Sequence, residues 1–188
     1  MAAATQSTGS KTSKAKSSSK SSTPKNKTAS RRTTQQDAVA LLKADHREVE
    51  GWFSQFEKAT AEGRKAELAE KICTALKVHT QIEEELVYPA SREFVDDEEI
   101  VNEAYVEHDS AKKLIAEIEG MEASDEMFDA KVKVLSEMIQ HHVEEEEKEY
   151  FPQLQKSEMD LKAVGEQLKA RKQELMGQME PMGSKAMQ

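Results

Sequence analysis

Two stretches of this sequence share one pattern: HTQIEEELVYP, residues 79–89, and HVEEEEKEYFP, residues 142–152. Each begins with a histidine, has a glutamate at its fifth position, and ends with an aromatic residue followed by a proline. Residues four apart lie on one face of a helix about one turn apart, so each His–Glu pair can hold a metal ion. Two such half-sites predict a site for two metal ions.

A further histidine precedes each stretch: His46 lies 33 residues before His79, and His108 lies 34 before His142. The four histidines fall on the apolar stripes of four different helical segments. Burying imidazoles and carboxylates is costly unless they are paired or bound to metal, and metal ligation satisfies them together. His141 lies about 100° around the helix from His142, off the stripe, and is expected at the surface. The candidate metal ligands are His46, His79, Glu83, His108, His142 and Glu146.

Composition and periodicity predict an all-α protein. The chain has only 7 Gly and 4 Pro in 188 residues, which favours long uninterrupted elements. Apolar spacing predicts helices over about 35–61, 64–88, 96–120 and 124–150, with a fifth over about 158–176. In detail, Gly63 is expected to end the first helix, Asp96 to cap the third, Ser124 to open the fourth and Ser157 to precede the fifth. Four helices of this length with short loops predict an antiparallel up-down four-helix bundle followed by an extra C-terminal helix.

Charge divides the chain into parts. Residues 1–36 carry eight basic residues and no acidic residue among Ser, Thr and Ala, a composition typical of a disordered tail. This basic tail can be a solubilising extension or a tether to the acidic body, and a contact with nucleic acid or another polyanion is the alternative. Residues 37–155 are predicted to form the bundle, and residues 156–188 the extra helix with a flexible end.

Several classes of protein are disfavoured. No apolar run approaches 18 residues, so no transmembrane helix is expected. The single cysteine, Cys73, cannot form a disulfide within the chain, and nothing at the N-terminus resembles a secretory signal, so a cytoplasmic location is expected. We find no Gly-rich phosphate loop and no nucleophile paired with a base.

The donor set predicts the metal. A closed structural zinc site usually needs four donors with thiolates among them, and this chain has one cysteine. Imidazole and carboxylate ligands with open positions suit iron, with manganese second. No histidine has a glutamate three residues before it, which excludes the Glu-x-x-His pairs of ferritin-like di-iron bundles, and no His-Glu-x-x-His motif of zinc proteases is present.

These motifs together resemble the hemerythrin HHE cation-binding domain over about residues 37–155. The resemblance is carried by Asp45-His46-Arg47-Glu48, His79-x-x-x-Glu83-Glu84 with Tyr88-Pro89, Glu107-His108, and His142-x-x-x-Glu146 with Phe151-Pro152. It implies a four-helix bundle with a non-haem di-iron centre, and it assigns the same six candidate residues as ligands. It also implies a partner among O2 and related small oxidants.

The sequence departs from the oxygen-carrying hemerythrins at two points. Their third helix has His-x-x-x-His, whereas Lys112 stands four residues after His108 and Ala104 four before it. Their last helix places its carboxylate five residues after the histidine, which here is Glu147 and not Glu146. The missing histidine implies an additional open coordination position, which disfavours reversible O2 carriage unless water, Glu147 or Glu50 fills it.

The resulting expectation is a non-haem di-iron protein that binds, senses or reacts with O2, peroxide or nitric oxide. One alternative is an iron-homeostasis or stress module that acts through a protein partner. Another is a low-turnover di-iron oxidase or peroxidase.

Overall fold

The computed structural model describes residues 36–95 and 98–179, and all regular structure in these ranges is helical, as the sequence predicts. In chain order the elements are α1 (Ala38–Lys58), α2 (Glu62–Ile82), a π-helical turn (Glu83–Val87), α3 (Tyr88–Ser91), α4 (Glu98–Glu119), α5 (Phe128–Glu145), a second π-helical turn (Glu146–Tyr150), α6 (Phe151–Lys156) and α7 (Leu161–Met179). The predicted tail lies outside the described residues except for Gln36, and so does the predicted flexible end from residue 180. Both stay predictions.

The boundaries of the first two helices differ from those expected. Asp37 caps α1, because its carboxylate accepts a hydrogen bond of 2.8 Å from the Ala40 N–H. The helix ends at Lys58, where Ala59 turns to an extended conformation. Gly63, the predicted end of α1, lies instead in the first turn of α2, so that prediction is wrong.

Two other helices start later than predicted. The fourth long helix begins at Phe128 and not at Ser124, because the Asp125 carboxylate holds a preceding turn by accepting from the Glu122 N–H at 2.8 Å. The last helix begins at Leu161, where the Asp160 carboxylate accepts from the Ala163 N–H. The predicted cap at Asp96 lies outside the described residues.

The prolines of the two repeats do not end their helices. Each lies in the first turn of a short α-helix that continues the chain beyond a π-helical turn. The N–H groups of Tyr88 and Phe151 bond carbonyls five residues back, at Glu83 and Glu146. A proline ring would clash with the carbonyl four residues back in a regular α-helix, and the wider π turn relieves this conflict. Both π turns begin at a candidate ligand.

The four long helices α1, α2, α4 and α5 pack in a closed ring, with α1 against α2 and α5, and α4 against α2 and α5. Helix α7 packs outside the ring against α1 and α2. The buried apolar side chains form two clusters, one around Val49, Phe53 and Ile72 and one around Leu42, Ile82 and Phe151. Since His46 lies about one helical turn from both Leu42 and Val49, the histidines occupy the layer between the clusters.

Gly165 sets the position of α7. A Cβ at this residue would lie 2.8 Å from the backbone nitrogen of Ala38 and 2.9 Å from the carbonyl oxygen of Gln36. Only glycine allows α7 to lie this close to the start of α1. No helix among the described residues is long and apolar enough to cross a membrane.

Candidate metal centre

Each of the four ring helices contributes one histidine to a buried polar layer. His46 lies on α1, His79 on α2, His108 on α4 and His142 on α5, and each side chain is at most 7% exposed. The carboxylates of Glu83 and Glu146, the first residues of the two π turns, are equally buried. The structure therefore brings all six candidate ligands together.

The inner nitrogens of the histidines form two pairs. His46 Nε2 lies 3.1 Å from His79 Nε2, and His108 Nε2 lies 3.1 Å from His142 Nε2. Two nitrogens bonded to one metal ion at about 2.1 Å and near right angles lie about 3.0 Å apart. Each pair thus has the spacing of two neighbouring ligands on one ion, and each comes from one helical hairpin.

The two carboxylates join these pairs. Glu83 Oε2 lies 3.3 Å from His79 Nε2 and 3.5 Å from His108 Nε2. Glu146 Oε2 lies 3.4 Å from His46 Nε2 and 3.6 Å from His142 Nε2. Each glutamate therefore faces one histidine from each pair, so each carboxylate would help to hold a metal ion at either pair.

The electrostatics of the layer fit cations. Both oxygens of Glu83 and Oε2 of Glu146 are buried without a hydrogen-bond partner among the described residues, a costly arrangement that a metal ion would relieve. Burial and the charge of Glu146 raise the pKa of Glu83 well above its ordinary value. Burial also acts on Glu146, but His142 and His46 outweigh it and lower its pKa to about 2.

The outer nitrogens of the histidines face carboxylates. Three of these contacts are hydrogen bonds of 2.8–3.0 Å, and the fourth, His79 Nδ1 to Asp45 Oδ2, is longer at 3.7 Å. The hydrogen-bonded pairs are His46–Glu147, His108–Glu84 and His142–Glu107. A carboxylate only accepts, so Nδ1 carries the proton and Nε2 keeps its lone pair for a metal ion. We call Asp45, Glu84, Glu107 and Glu147 the orienting carboxylates.

The pKa values of His79 and His108 agree with this arrangement. Burial lowers the pKa of His79 to about 4, so its imidazole is neutral at pH 7. Burial also lowers the pKa of His108. At His142 the effect of burial is outweighed by the charges of Glu146 and Glu107, which raise the pKa. A metal ion that binds His142 must therefore displace a proton that is held more tightly than usual.

The repeat is broken at the aromatic residue before each proline. Tyr88 packs beside His108, with ring centroids 5.6 Å apart, and Phe151 stacks on His46 at 5.8 Å. The Tyr88 hydroxyl donates to Glu146 Oε1 at 3.1 Å and lies 3.4 Å from His108 Nε2. Burial raises the Tyr88 pKa well above its ordinary value, so the phenol keeps its proton. Of the two aromatic residues, only the one beside His108 carries a hydroxyl.

A small cavity touches the other side of the centre. Its walls combine all four histidines with apolar side chains and with Asp45 and Thr80, and its volume of about 10 Å³ matches roughly one water molecule. The apolar part of the wall is formed by Val49, Leu76, Ile139 and Val143. The cavity therefore lies directly against the four candidate ligand histidines and has room for about one small molecule.

The remaining sequence candidates lie elsewhere. Glu50 pairs with Arg47 at the surface, and Glu147 bonds the outer nitrogen of His46. Lys112 donates to both oxygens of Glu84 at 2.6 Å, so it supports an orienting carboxylate. His141 is exposed, as expected from its angular position on the helix.

Sequence reasoning missed the orienting carboxylates as a set. Their signal was present: an acidic residue directly precedes His46 and His108, and a second glutamate directly follows Glu83 and Glu146. The repeat of acidic neighbours at equivalent positions is the pattern that marks them. Most acidic neighbours of this kind point to solvent, which is why spacing alone did not separate these four from the others.

Comparison with known proteins agrees with this geometry. The model of the hemerythrin HHE cation binding domain matches residues 37–154, and the chain belongs to that family. The crystal structure of a hemerythrin HHE cation binding domain-containing protein from Mycobacterium kansasii, the Rv2633c homolog, has the same fold. It has a TM-score of 0.64 and 23% identity, and the match covers 76% of this chain and 89% of that one.

A DNA nickase from Nostoc sp. is also similar, with 27% identity over 111 residues. The match covers 59% of this chain but only 31% of the nickase, so this chain spans about a third of that protein's length. The family prediction is confirmed, and the buried His and Glu clusters are groups that could hold metal ions.

Proposed function

We propose that this protein is a cytoplasmic, non-haem di-iron protein that binds, senses or reacts with O2 or a related small oxidant such as peroxide or nitric oxide. Its scaffold would be an antiparallel up-down four-helix bundle. The observation that carries the proposal is the pair of facing Nε2 atoms in each hairpin, with one buried carboxylate placed between the pairs from each side.

Iron is favoured by the donor chemistry. Four imidazole nitrogens and two carboxylates supply three protein donors for each of two ions, and this leaves positions free for a small ligand. A structural zinc site would close its coordination with four donors, usually including thiolates. The single cysteine, Cys73, is buried with its pKa raised by burial to about 12, so it is a protonated core residue.

Bound iron would supply the electron transfer, and the chain would control access and protons. The largely apolar cavity beside the histidines would hold about one small molecule next to the ligands. Tyr88 holds a proton at its hydroxyl beside Glu146, within reach of one half of the centre. The orienting carboxylates keep the imidazoles in a fixed direction and tautomer.

Anaerobic reconstitution tests the proposal. Metal-free protein is loaded with ferrous iron, its metal content is measured, O2 is added and then removed, and the optical spectrum is recorded throughout. We expect two iron ions per chain and an oxidation that does not reverse when O2 is removed. One iron or none, or a preference for zinc in competition, would contradict the di-iron assignment. A spectrum that reverses fully would instead indicate an oxygen carrier.

A second candidate, a low-turnover di-iron peroxidase, is favoured by the Tyr88 hydroxyl. Cleavage of an O–O bond needs a proton, and this phenol is a protonated group that contacts both His108 and Glu146. Steady consumption of peroxide by the iron-loaded protein would support it, whereas a single stoichiometric oxidation would leave a binding or sensing role.

A further inference from the structure

The orienting carboxylates differ in how their charge is balanced. Three of the four are paired with a lysine or arginine. These pairs are Asp45–Lys172, Glu84–Lys112 and Glu147–Arg47. Within the described part of the chain, the ion pairs of Glu107 are with His142 and His141 only. Glu107 therefore faces the exposed imidazole of His141, whereas each of the other three carboxylates is paired with a lysine or an arginine.

Glu107 belongs to a second group of metal-ligand side chains, which we call the outer cluster: Glu107, His141 and Glu145. His141 Nε2 lies 3.8 Å from Glu107 Oε1 and 3.4 Å from Glu145 Oε1. His141 and Glu145 are four residues apart on α5, the spacing used by the buried His–Glu pairs. One imidazole nitrogen and two carboxylate oxygens are donors suited to a divalent first-row metal, and solvent can supply the remaining ligands.

A narrow cavity is lined both by carboxylates of the outer cluster and by residues of the buried centre. Its walls include the partly exposed Glu107 and Glu145 as well as the buried His142, Glu146 and Tyr88. Glu146 Oε2 is buried without a hydrogen-bond partner among the described residues and faces the inner nitrogens of His46 and His142. The volume of about 10 Å³ accommodates roughly one water molecule, so an ion must shed most of its hydration to pass.

In the first hairpin, buried apolar side chains occupy the equivalent place. By the internal repeat, Val78 and Ile82 stand where the second hairpin has His141 and Glu145. Both side chains are buried in the apolar cluster that also contains Leu168 of α7. Lys172 of the same helix supplies the cation for the carboxylate on this side. Helix α7 thus closes one side of the centre and leaves the outer cluster on the other.

We propose that the outer cluster is a ferrous-ion loading site, which captures Fe²⁺ from solvent and passes it along the cavity to the buried centre. Glu107 couples the two sites, because one of its oxygens faces the outer cluster and the other bonds the outer nitrogen of His142. Glu103 and Glu149, which lie close enough for their charge to act on Glu145, raise the local cation concentration. The inference rests on the proposed di-iron function of the buried centre.

The test compares H141A/E145Q with a control, Q140A/E144Q, which makes the same kind of changes one residue earlier on exposed positions of α5. Metal-free proteins are mixed anaerobically with two equivalents of Fe²⁺, and the disappearance of free Fe²⁺ is followed with a chromophoric ferrous chelator. We expect the H141A/E145Q protein to load about tenfold more slowly than wild type and to reach the same final iron content. The control should load at the wild-type rate.

A second measurement isolates the outer cluster from the buried centre. Iron-loaded proteins are titrated with Mn²⁺, and free Mn²⁺ is quantified by electron paramagnetic resonance. We expect wild type and control to bind one further Mn²⁺, and H141A/E145Q to bind it at least about tenfold more weakly. Equal loading rates, or equal Mn²⁺ binding, would overturn the loading site. A wild-type protein that fails to retain two irons would instead overturn the proposed function.

Discussion

The two hairpins of this protein carry the same ligand pattern in different surroundings. In the first, α1 and α2 lie under α7, which buries Val78 and Ile82 and supplies Lys172 to Asp45. In the second, α4 and α5 leave the equivalent face to solvent and to the outer cluster. The ligands of the centre itself are matched, since each hairpin contributes two histidines and one carboxylate. The two halves of the centre are therefore alike in their ligands and different in their exposure to solvent.

The two halves of the centre also differ in the aromatic side chain that packs on a histidine. Phe151 stacks on His46 of the first hairpin, whereas Tyr88 presents a hydroxyl beside His108 of the second. Proton supply and solvent access therefore fall on the same half of the centre. This half is where we expect a small oxidant to be protonated.

The largest expected effect tests whether both hairpins are needed. His79→Ala and His142→Ala should each lower metal affinity more than about a hundredfold, because the loss of a ligand exceeds the roughly 10- to 100-fold cost of losing its orienting partner. His141→Ala should retain two irons at equilibrium. Metal analysis after dialysis against a weak chelator measures this. Equal losses at His141 and His142 would show that the wrong member of the pair has been assigned to the centre.

Exchanging the side chains of Tyr88 and Phe151 would move the phenol hydroxyl to the other half of the centre. Tyr88→Phe should slow reaction of the reduced protein with peroxide by at least about tenfold, because a positioned acid contributes on the order of 10² or more to proton transfer. Stopped-flow optical spectra measure the rate. Adding Phe151→Tyr to the Tyr88→Phe protein restores a phenol on the opposite half of the centre. A rate that recovers in this double variant would contradict a requirement for the His108 side.

The next prediction concerns how much the buried carboxylate of Glu83 destabilises the metal-free protein. Because its pKa is raised on folding, the carboxyl holds its proton more tightly in the folded state. The stabilisation from this tighter proton binding is fully present below the pKa that Glu83 has in the unfolded state. It is lost as the pH rises through the pKa that Glu83 has in the folded state. Glu83→Gln should therefore raise the unfolding free energy of the metal-free protein at pH 7 by about 1–3 kcal/mol, with a smaller gain near pH ~4.5.

Chemical denaturation of both proteins, with and without iron, measures that effect. Iron should stabilise wild type and should add little to the Glu83→Gln protein, because the amide is a poor ligand. A metal-free Glu83→Gln protein that is less stable than wild type at pH 7 would show that the buried carboxylate is satisfied without metal.

The last comparison concerns α7, the helix that packs on the first hairpin and so distinguishes the two hairpins. Gly165→Ala places a Cβ 2.8 Å from the Ala38 nitrogen, so α7 must shift, at a cost of about 1–3 kcal/mol. Gly177→Ala on the same helix has nothing within 4 Å and is the matched control. Thermal unfolding followed by circular dichroism compares them. If the two substitutions have equal effects, α7 does not need its close approach to α1.

Much of the fold followed from local patterns. Apolar spacing predicted every long helix, because a helix that packs on one face must repeat its apolar residues with the helical period. Helix ends were less accurate, since Asp37 and Asp160 cap their helices and Asp125 holds the turn before α5, while Ser or Gly residues nearby offered competing signals. The π turns were missed because their wider hydrogen bonds leave no separate mark beyond the proline that they accommodate.

The sequence by itself determined the all-α class and indicated six candidate ligands, with Glu147 as an open alternative to Glu146, because His and Glu recur at helical spacing on apolar stripes. Only the tertiary structure decided between Glu146 and Glu147, which are adjacent in sequence. The π turn that starts at Glu146 directs its carboxylate inward, and Glu147 meets His46 from outside. Tertiary structure also decided which side of the centre is open, because the position of α7 depends on contacts between residues far apart in the chain.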